Sequence, residues 1–371
     1  MSVTRQIFAE NVYTGTGHLT NQVVTIQDHK ISALAPAEYT GDLPFYSHLA
    51  PGLFDIHING GERFHFTQKP DEETLADIAL ASESTGTACT LPTLITSGTD
   101  NILKGLEAVR SYQQKKPFSG IIGMHLEGPF INIKKRGAHL PQYIRRPEDT
   151  ELKEIIAAGK GVLKLITVAP EQLSGAQIAL LQEAGIIVSA GHSDASYQQA
   201  AKAFGQGIGI VTHLYNAMSS FQHRAPGLVG ATFDHPEIYA PIILDGVHCD
   251  YAAARVAYQL KKDRMILISD ALFLNQKVKS FQWGEFDAQL IEGQYRNKEG
   301  NLAGGAISLG QAVHNAVYEV GIPLREAVEM ASTRPAKALG MDHEMGKIAT
   351  GYPSIFTSFN DSLTQFEVLR L

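Results

Sequence analysis

Eight short apolar runs, with helical stretches between most of them, predict an α/β protein built as a (β/α)8 TIM-like barrel. Strand-like patterning at both chain ends adds a small β-sandwich domain to which head and tail contribute. No Gly-rich dinucleotide loop follows an early strand, which argues against an open doubly wound sheet.

Along the chain, residues 6–13, 22–27 and 30–34 read as short strands set off by turn residues such as Gly15, Gly17 and Asp28. The apolar runs follow at 49–58, 88–94, 121–126, 163–168, 186–190, 209–214, 239–244 and 265–269. Short continuous runs of this kind suit strands buried on both faces, as in a parallel sheet. Helices are predicted at 71–85, 99–113, 151–158, 175–183, 195–204 and 251–260. Residues 272–306 break the rhythm with polar strands around Trp283 and Tyr295, and predict a hairpin layer inserted in the last loop. Helical texture resumes at 309–320 and 324–339, and strands return at 355–359 and 366–371. The expected division is a small β-sandwich from 1–49 and 341–371 and a barrel from 50–340.

Composition excludes several classes. The chain has 371 residues, 44% hydrophobic and 19% charged, which is ordinary for a globular protein and unlike a disordered one. Its net charge is −7, and the longest basic run is Lys134, Lys135 and Arg136, so no nucleic-acid partner is expected. No window approaches the about 18 apolar residues of a membrane span, and residues 1–10 lack a secretory core. Cys89 and Cys249 lie far apart in apolar stretches, which suggests buried free thiols and a cytoplasmic location.

Barrel chemistry sits at the C-terminal ends of the strands. Six of the eight runs end in His, Asp or Glu: Asp55 and His57; His125 and Glu127; His192 and Asp194; His213; Asp245 and His248; Asp270. Convergent charge of this kind is costly unless a metal or ligand compensates it. Glu127, His192 and His213 are the expected ligands, since two neutral imidazoles and a carboxylate with an open position form a common catalytic zinc set; iron or cobalt would also suit. Alone, each would be an ordinary structural residue. Asp270 alone could equally be a ligand or a helix cap, Arg224 a surface arginine and His248 a loop anchor. Lys164, near the start of its run, reads as structural.

Several stretches resemble the amidohydrolase superfamily, and within it the N-acetylglucosamine-6-phosphate deacetylases. They are APGLFDIHINGG at 50–61, HLEGPFIN at 125–132, KRGAH at 135–139, AGHSDA at 190–195, THLYNAM at 212–218, APGLVG at 225–230, LDGVH at 244–248 and LAGG at 302–305. The resemblance implies one divalent metal ion on Glu127, His192 and His213, and Asp270 as the catalytic acid/base. It implies that Ala138, His139, Asn216, Ala217, Asp245, His248, Leu302, Ala303 and Gly304 face a small sugar phosphate. It also implies a homodimer in which Arg224 reaches the phosphate in the neighbouring subunit's site. The reaction would be hydrolysis of the acetamide of N-acetylglucosamine 6-phosphate; the alternative is another amidohydrolase, acting on a cyclic amide or an unphosphorylated N-acetyl amino sugar. The superfamily's His-x-His appears here as His57-x-Asn59, so one tightly held metal is expected, with His57 marking at most a weaker second site. The segment after Asp270, Ala271 to Asn275, and the tail at Tyr352 to Phe356 also depart from the family pattern.

Overall fold

The computed structural model describes residues 4–371. The head forms β1 (Thr4–Tyr13), β2 (His18–Gln27), β3 (Lys30–Pro36) and β4 (Phe45–Pro51). The central strands are β5 (Leu53–Ile58), β6 (Thr87–Ile95), β7 (Met124–Glu127), β8 (Leu163–Val168), β9 (Ile187–Ala190), β10 (Ile210–Val211), β11 (Ala240–Ile242) and β12 (Met265–Leu267). The insertion carries β13 (Ser280–Trp283), β14 (Phe286–Ile291) and β15 (Gln294–Arg296), and the tail β16 (Ile355–Phe359) and β17 (Phe366–Arg370).

Head and tail share one six-stranded sheet in the order β17-β16-β4-β1-β2-β3. Burial alternates in β2, where Gln22, Val24 and Ile26 face inward, as the two-residue strand period requires. Both ends feed one apolar cluster that includes Ile7, Val24, Ile31, Leu49, Phe356 and Leu369. The central strands make a curled parallel sheet, β10-β9-β8-β7-β6-β5, and a parallel pair, β11-β12. Single parallel bridges join Ile210 to Tyr239 and Ile58 to Ala271 at the two seams. β5, β6 and β7 are buried at every residue, their polar positions included, as strands covered on both faces are.

The run expected at 49–58 is two strands, not one. It breaks at Gly52, whose N–H donates to Ile355 O at 3.0 Å and whose Cβ, if present, would meet the Ala88 Cβ at 2.7 Å. β4 therefore pairs with the tail strand β16, and β5 opens the parallel sheet. The helix at Gly175–Glu183 starts where Ser174 and Gln177 form a capping box; Ser196 and Gln199 do the same for Tyr197–Gly205. The helical stretch 309–320 passes into a wider turn at Ala316–Val320 and stops at Gly321 (φ 84°), and 324–339 is split at Ser332. The insertion is a three-stranded antiparallel sheet whose Phe281, Phe286 and Tyr295 pack with Phe273, Ile95 and Leu140 beside the strand ends. Cys89 and Cys249 are buried free thiols. No helix among the described residues is long and apolar enough to cross a membrane.

Candidate metal centre and active-site cavity

The parallel direction of β5 to β12 brings their C-terminal ends to one mouth. Glu127 ends β7, and His192 and His213 lie two residues beyond β9 and β10. Three site residues turn inward through left-handed backbone: His192 (φ 47°), His213 (φ 33°) and Asp270 (φ 45°). That region is unfavourable for residues with a Cβ and is tolerated where surrounding bonds impose it. Those bonds are present: His192 O accepts from Asn132 N at 2.8 Å, and Asp270 N donates to His57 O at 2.9 Å.

Glu127 is the hub. Its Oε1 lies 3.1 Å from His192 Nε2 and 3.0 Å from His213 Nε2, and these two nitrogens are 3.1 Å apart. Donors around a tetrahedral ion at about 2.0–2.1 Å stand about 3.3 Å from one another, so the triangle fits a divalent cation. His192 Nδ1 donates to Lys135 O at 2.8 Å, which leaves Nε2 as the atom able to coordinate. His139 is a further neighbour, with Nε2 3.5 Å from Glu127 Oε2; donor atoms of Glu127, His139 and His192 all lie within 4.8 Å of one another. The resemblance implied only a substrate contact for His139. Burial by itself would raise the Glu127 pKa, but the imidazoles of His57, His139, His192 and His213 outweigh it and hold the carboxyl well below its usual range.

Asp270 stands across the cavity. Its Oδ1 accepts from Asn59 Nδ2 at 2.8 Å and lies 3.1 Å from His57 Nε2. Asn59, read from sequence only as a missing imidazole, is thus the partner of Asp270. His57 also approaches Glu127 Oε2 at 3.3 Å. Burial would push its pKa down, yet the Asp270 and Glu127 carboxylates prevail and raise it to about 9. Beneath it, His125 is held by Thr93 and Thr167 at 3.2 and 2.8 Å; burial and the neighbouring His57 keep its pKa far below the ordinary value.

Most of the other expected residues line the same cavity: Ala138, His139, Asn216, Ala217, His248, Leu302, Ala303 and Gly304. Asp245 sits behind His248, accepting from its Nδ1 at 2.6 Å and from the backbone of Val247 and His248 at 2.9 and 2.8 Å. Burial opposes ionisation of Asp245, but His248 and these N–H groups outweigh it and lower its pKa. Arg224 is exposed and lies outside the cavity of its own chain. Lys164 lines a separate cleft with Cys89 and Lys347. The cavity also includes His65, Ile95, Leu272 and Phe286, none of which the sequence pattern singled out.

The amidohydrolase family pattern matches residues 48–369. The chain is 33% identical to a Haemophilus influenzae N-acetylglucosamine-6-phosphate deacetylase over 309 residues, 82% of this chain and 80% of that one. It is 36% identical to a Shewanella N-acetylgalactosamine-6-phosphate deacetylase over 324 residues, 85% of this chain and 81% of that one. The crystal structure of a Pasteurella multocida N-acetylglucosamine-6-phosphate deacetylase superposes with a TM-score of 0.92 at 32% identity, covering 99% of this chain and 97% of that one. A match across most of the chain, a shared fold and a buried carboxylate–imidazole hub at the strand ends agree: the chain belongs to the amidohydrolase family, in its group of N-acetylglucosamine-6-phosphate deacetylases.

Proposed function

We propose that this chain hydrolyses the acetamide of N-acetylglucosamine 6-phosphate to glucosamine 6-phosphate and acetate, in amino-sugar catabolism or recycling. The observation that carries the reading is the pairing of two carboxylates across one cavity. Glu127 is gathered with two imidazole nitrogens within 3.1 Å, while Asp270, lining the same cavity, accepts from Asn59.

Glu127, His192 and His213 would hold one divalent ion, zinc by the chemistry of the set, with His57 beside any weaker second position. Such an ion supplies Lewis-acid activation of a water and of the amide carbonyl. Asp270 takes the proton of the attacking water and returns it to the departing nitrogen, which cannot leave as an anion. Asn59 donates to Oδ1 of Asp270, so Oδ2 is the atom that carries this proton. His139 donates to the carbonyl oxygen as negative charge develops there. Ala138, Asn216, Ala217 and the segment Leu302 to Gly304 shape the sugar site. His248, oriented by Asp245, binds the phosphate, and Arg224 reaches the phosphate in the neighbouring subunit of a homodimer.

In this reading the eight parallel strands act as one closed barrel spanning residues 50–340, supported by the seam bridges Ile210–Tyr239 and Ile58–Ala271. Residues 1–49 and 341–371 form the accompanying β-sandwich domain, and the enzyme works in the cytoplasm. A second reading, N-acetylgalactosamine 6-phosphate as substrate, is favoured by the Shewanella relative. The deciding experiment measures acetate release by the metal-loaded protein from both phosphorylated sugars and from unphosphorylated N-acetylglucosamine. The proposal expects N-acetylglucosamine 6-phosphate to lead in kcat/KM by about tenfold or more. Equal rates with and without phosphate would refute the phosphate assignment, and a lead for N-acetylgalactosamine 6-phosphate would replace the first reading with the second.

A further inference from the structure

His65 is fully buried, lines the cavity, and has no part in the mechanism above. Its Nδ1 accepts the backbone N–H of Thr67 at 3.2 Å. A neutral ring whose Nδ1 accepts carries its proton on Nε2. That Nε2 has no hydrogen-bond partner among the described residues. A buried donor without an acceptor is unfavourable, so the arrangement is accounted for when something entering the cavity accepts from it.

The ring is built into place. Phe66 N donates to Asn59 O at 2.8 Å, tying the loop to the end of β5. The Asp77 carboxylate accepts from the backbone of Arg63 and Phe64 at 2.8 and 3.1 Å. Gly61 permits this, since a Cβ there would meet Asp77 Oδ2 at 2.5 Å. The imidazole stacks on Phe281 with centroids 5.0 Å apart, and Phe273 and Phe286 stand at 6.1 and 6.3 Å. Burial, and secondarily the nearby His139, lowers its pKa to about 3, so the ring stays neutral at working pH. One neutral donor among aromatic rings does not suit a phosphate dianion. It suits an uncharged oxygen.

We propose that His65 is a substrate-binding residue whose Nε2–H donates to a hydroxyl oxygen of the bound N-acetyl amino sugar. This rests on the deacetylase reading above. It also gives the inserted sheet a role, since Phe281 fixes the plane of the imidazole and so the direction of its donor.

The test uses His65→Asn, which keeps an acceptor near the Nδ1 position and removes the donor, and His65→Gln, whose amide can donate from near the Nε2 position. For N-acetylglucosamine 6-phosphate, His65→Asn should raise KM about tenfold with kcat within about twofold, since a bond made equally in ground and transition states affects binding alone. His65→Gln should recover part of the loss. In wild-type protein labelled with 15N-histidine, the Nε2–H resonance of His65 should move on addition of glucosamine 6-phosphate. Unchanged KM in a His65→Asn variant of normal melting temperature overturns the proposal and leaves the deacetylase reading standing. Wild-type protein that neither turns over the acetylated sugar phosphate nor binds its amine product overturns both. If His65→Asn does not fold, the wild-type resonance decides: movement supports the donor, and an unmoved signal at saturating product refutes it.

Discussion

Replacing Asp270 with Asn isolates proton transfer from everything else the site does. The side chain keeps its size, and an amide oxygen in place of Oδ1 can still accept from Asn59 Nδ2, now at 2.8 Å. The lost function is proton acceptance. General acid–base catalysis by one group is typically worth about 10²–10⁴-fold. In the proposed mechanism Asp270 serves both the attacking water and the leaving nitrogen, so kcat should fall by about 10³–10⁴-fold, a barrier increase of about 4–5.5 kcal/mol. The fold should tolerate the change, because the one hydrogen bond at stake is conserved and the side chain is no larger. The assay is acetate release from N-acetylglucosamine 6-phosphate, run beside elemental analysis and a thermal melt on the same preparation. The expected result is wild-type metal content, a melting temperature within a few degrees and near-complete loss of turnover. A folded, metal-replete variant with kcat within tenfold of wild type would refute the role of Asp270. Loss of the metal together with activity would reassign Asp270 as a ligand.

Other expectations follow from the same geometry. Glu127→Gln removes the charge around which four imidazoles gather, so metal content after dialysis should drop at least about tenfold; a full metal complement would show that the ion sits elsewhere. Asp245→Asn weakens the 2.6 Å contact that aims His248, so KM should rise about tenfold for the phosphorylated sugar and much less for the unphosphorylated one; equal rises would detach His248 from the phosphate. Asp55 is buried, and burial raises its pKa to about 6 against partial compensation from Ser269 and His57. The folded state therefore binds more protons than the unfolded state between about pH 4 and 6, and stability falls as pH rises through that window. Asp55→Asn, whose amide oxygen can still accept from the backbone of His57 and Ser269, should stabilise the protein at pH 7 by up to about 3 kcal/mol. The gain should vanish near pH 4 in denaturant unfolding; a pH-independent effect, or destabilisation at pH 7, would contradict the argument.

Much of the site was legible before the fold was known, for a specific reason. In a parallel sheet every strand points the same way, so a polar residue closing an apolar run must lie at the same mouth as its counterparts. Glu127, His192, His213 and Asp270 follow that rule, and all four line one cavity. Residues on loops obey no such rule. His65 follows no apolar run and carries no spacing signal, and only a family of sequences or the folded loop could have marked it. Asn59 was visible as an anomaly in a motif, but its partner is 211 residues away. The resemblance implied only a substrate contact for His139, and nothing in its spacing places Nε2 3.5 Å from the Glu127 carboxylate.

The amino-acid sequence by itself determined the alternation of buried strands and covering helices, the β-rich ends and the identity of the groups delivered to the strand ends. These are local properties, written in hydrophobic period and residue type. The tertiary structure alone decided what those groups do to each other. It divided the apolar run at Gly52 between two sheets, set Asn59 against Asp270, placed the inserted aromatic sheet behind His65 and turned three strand-end residues through left-handed backbone. Each depends on contacts between distant segments, whose energies are properties of the packed arrangement and leave no period along the chain.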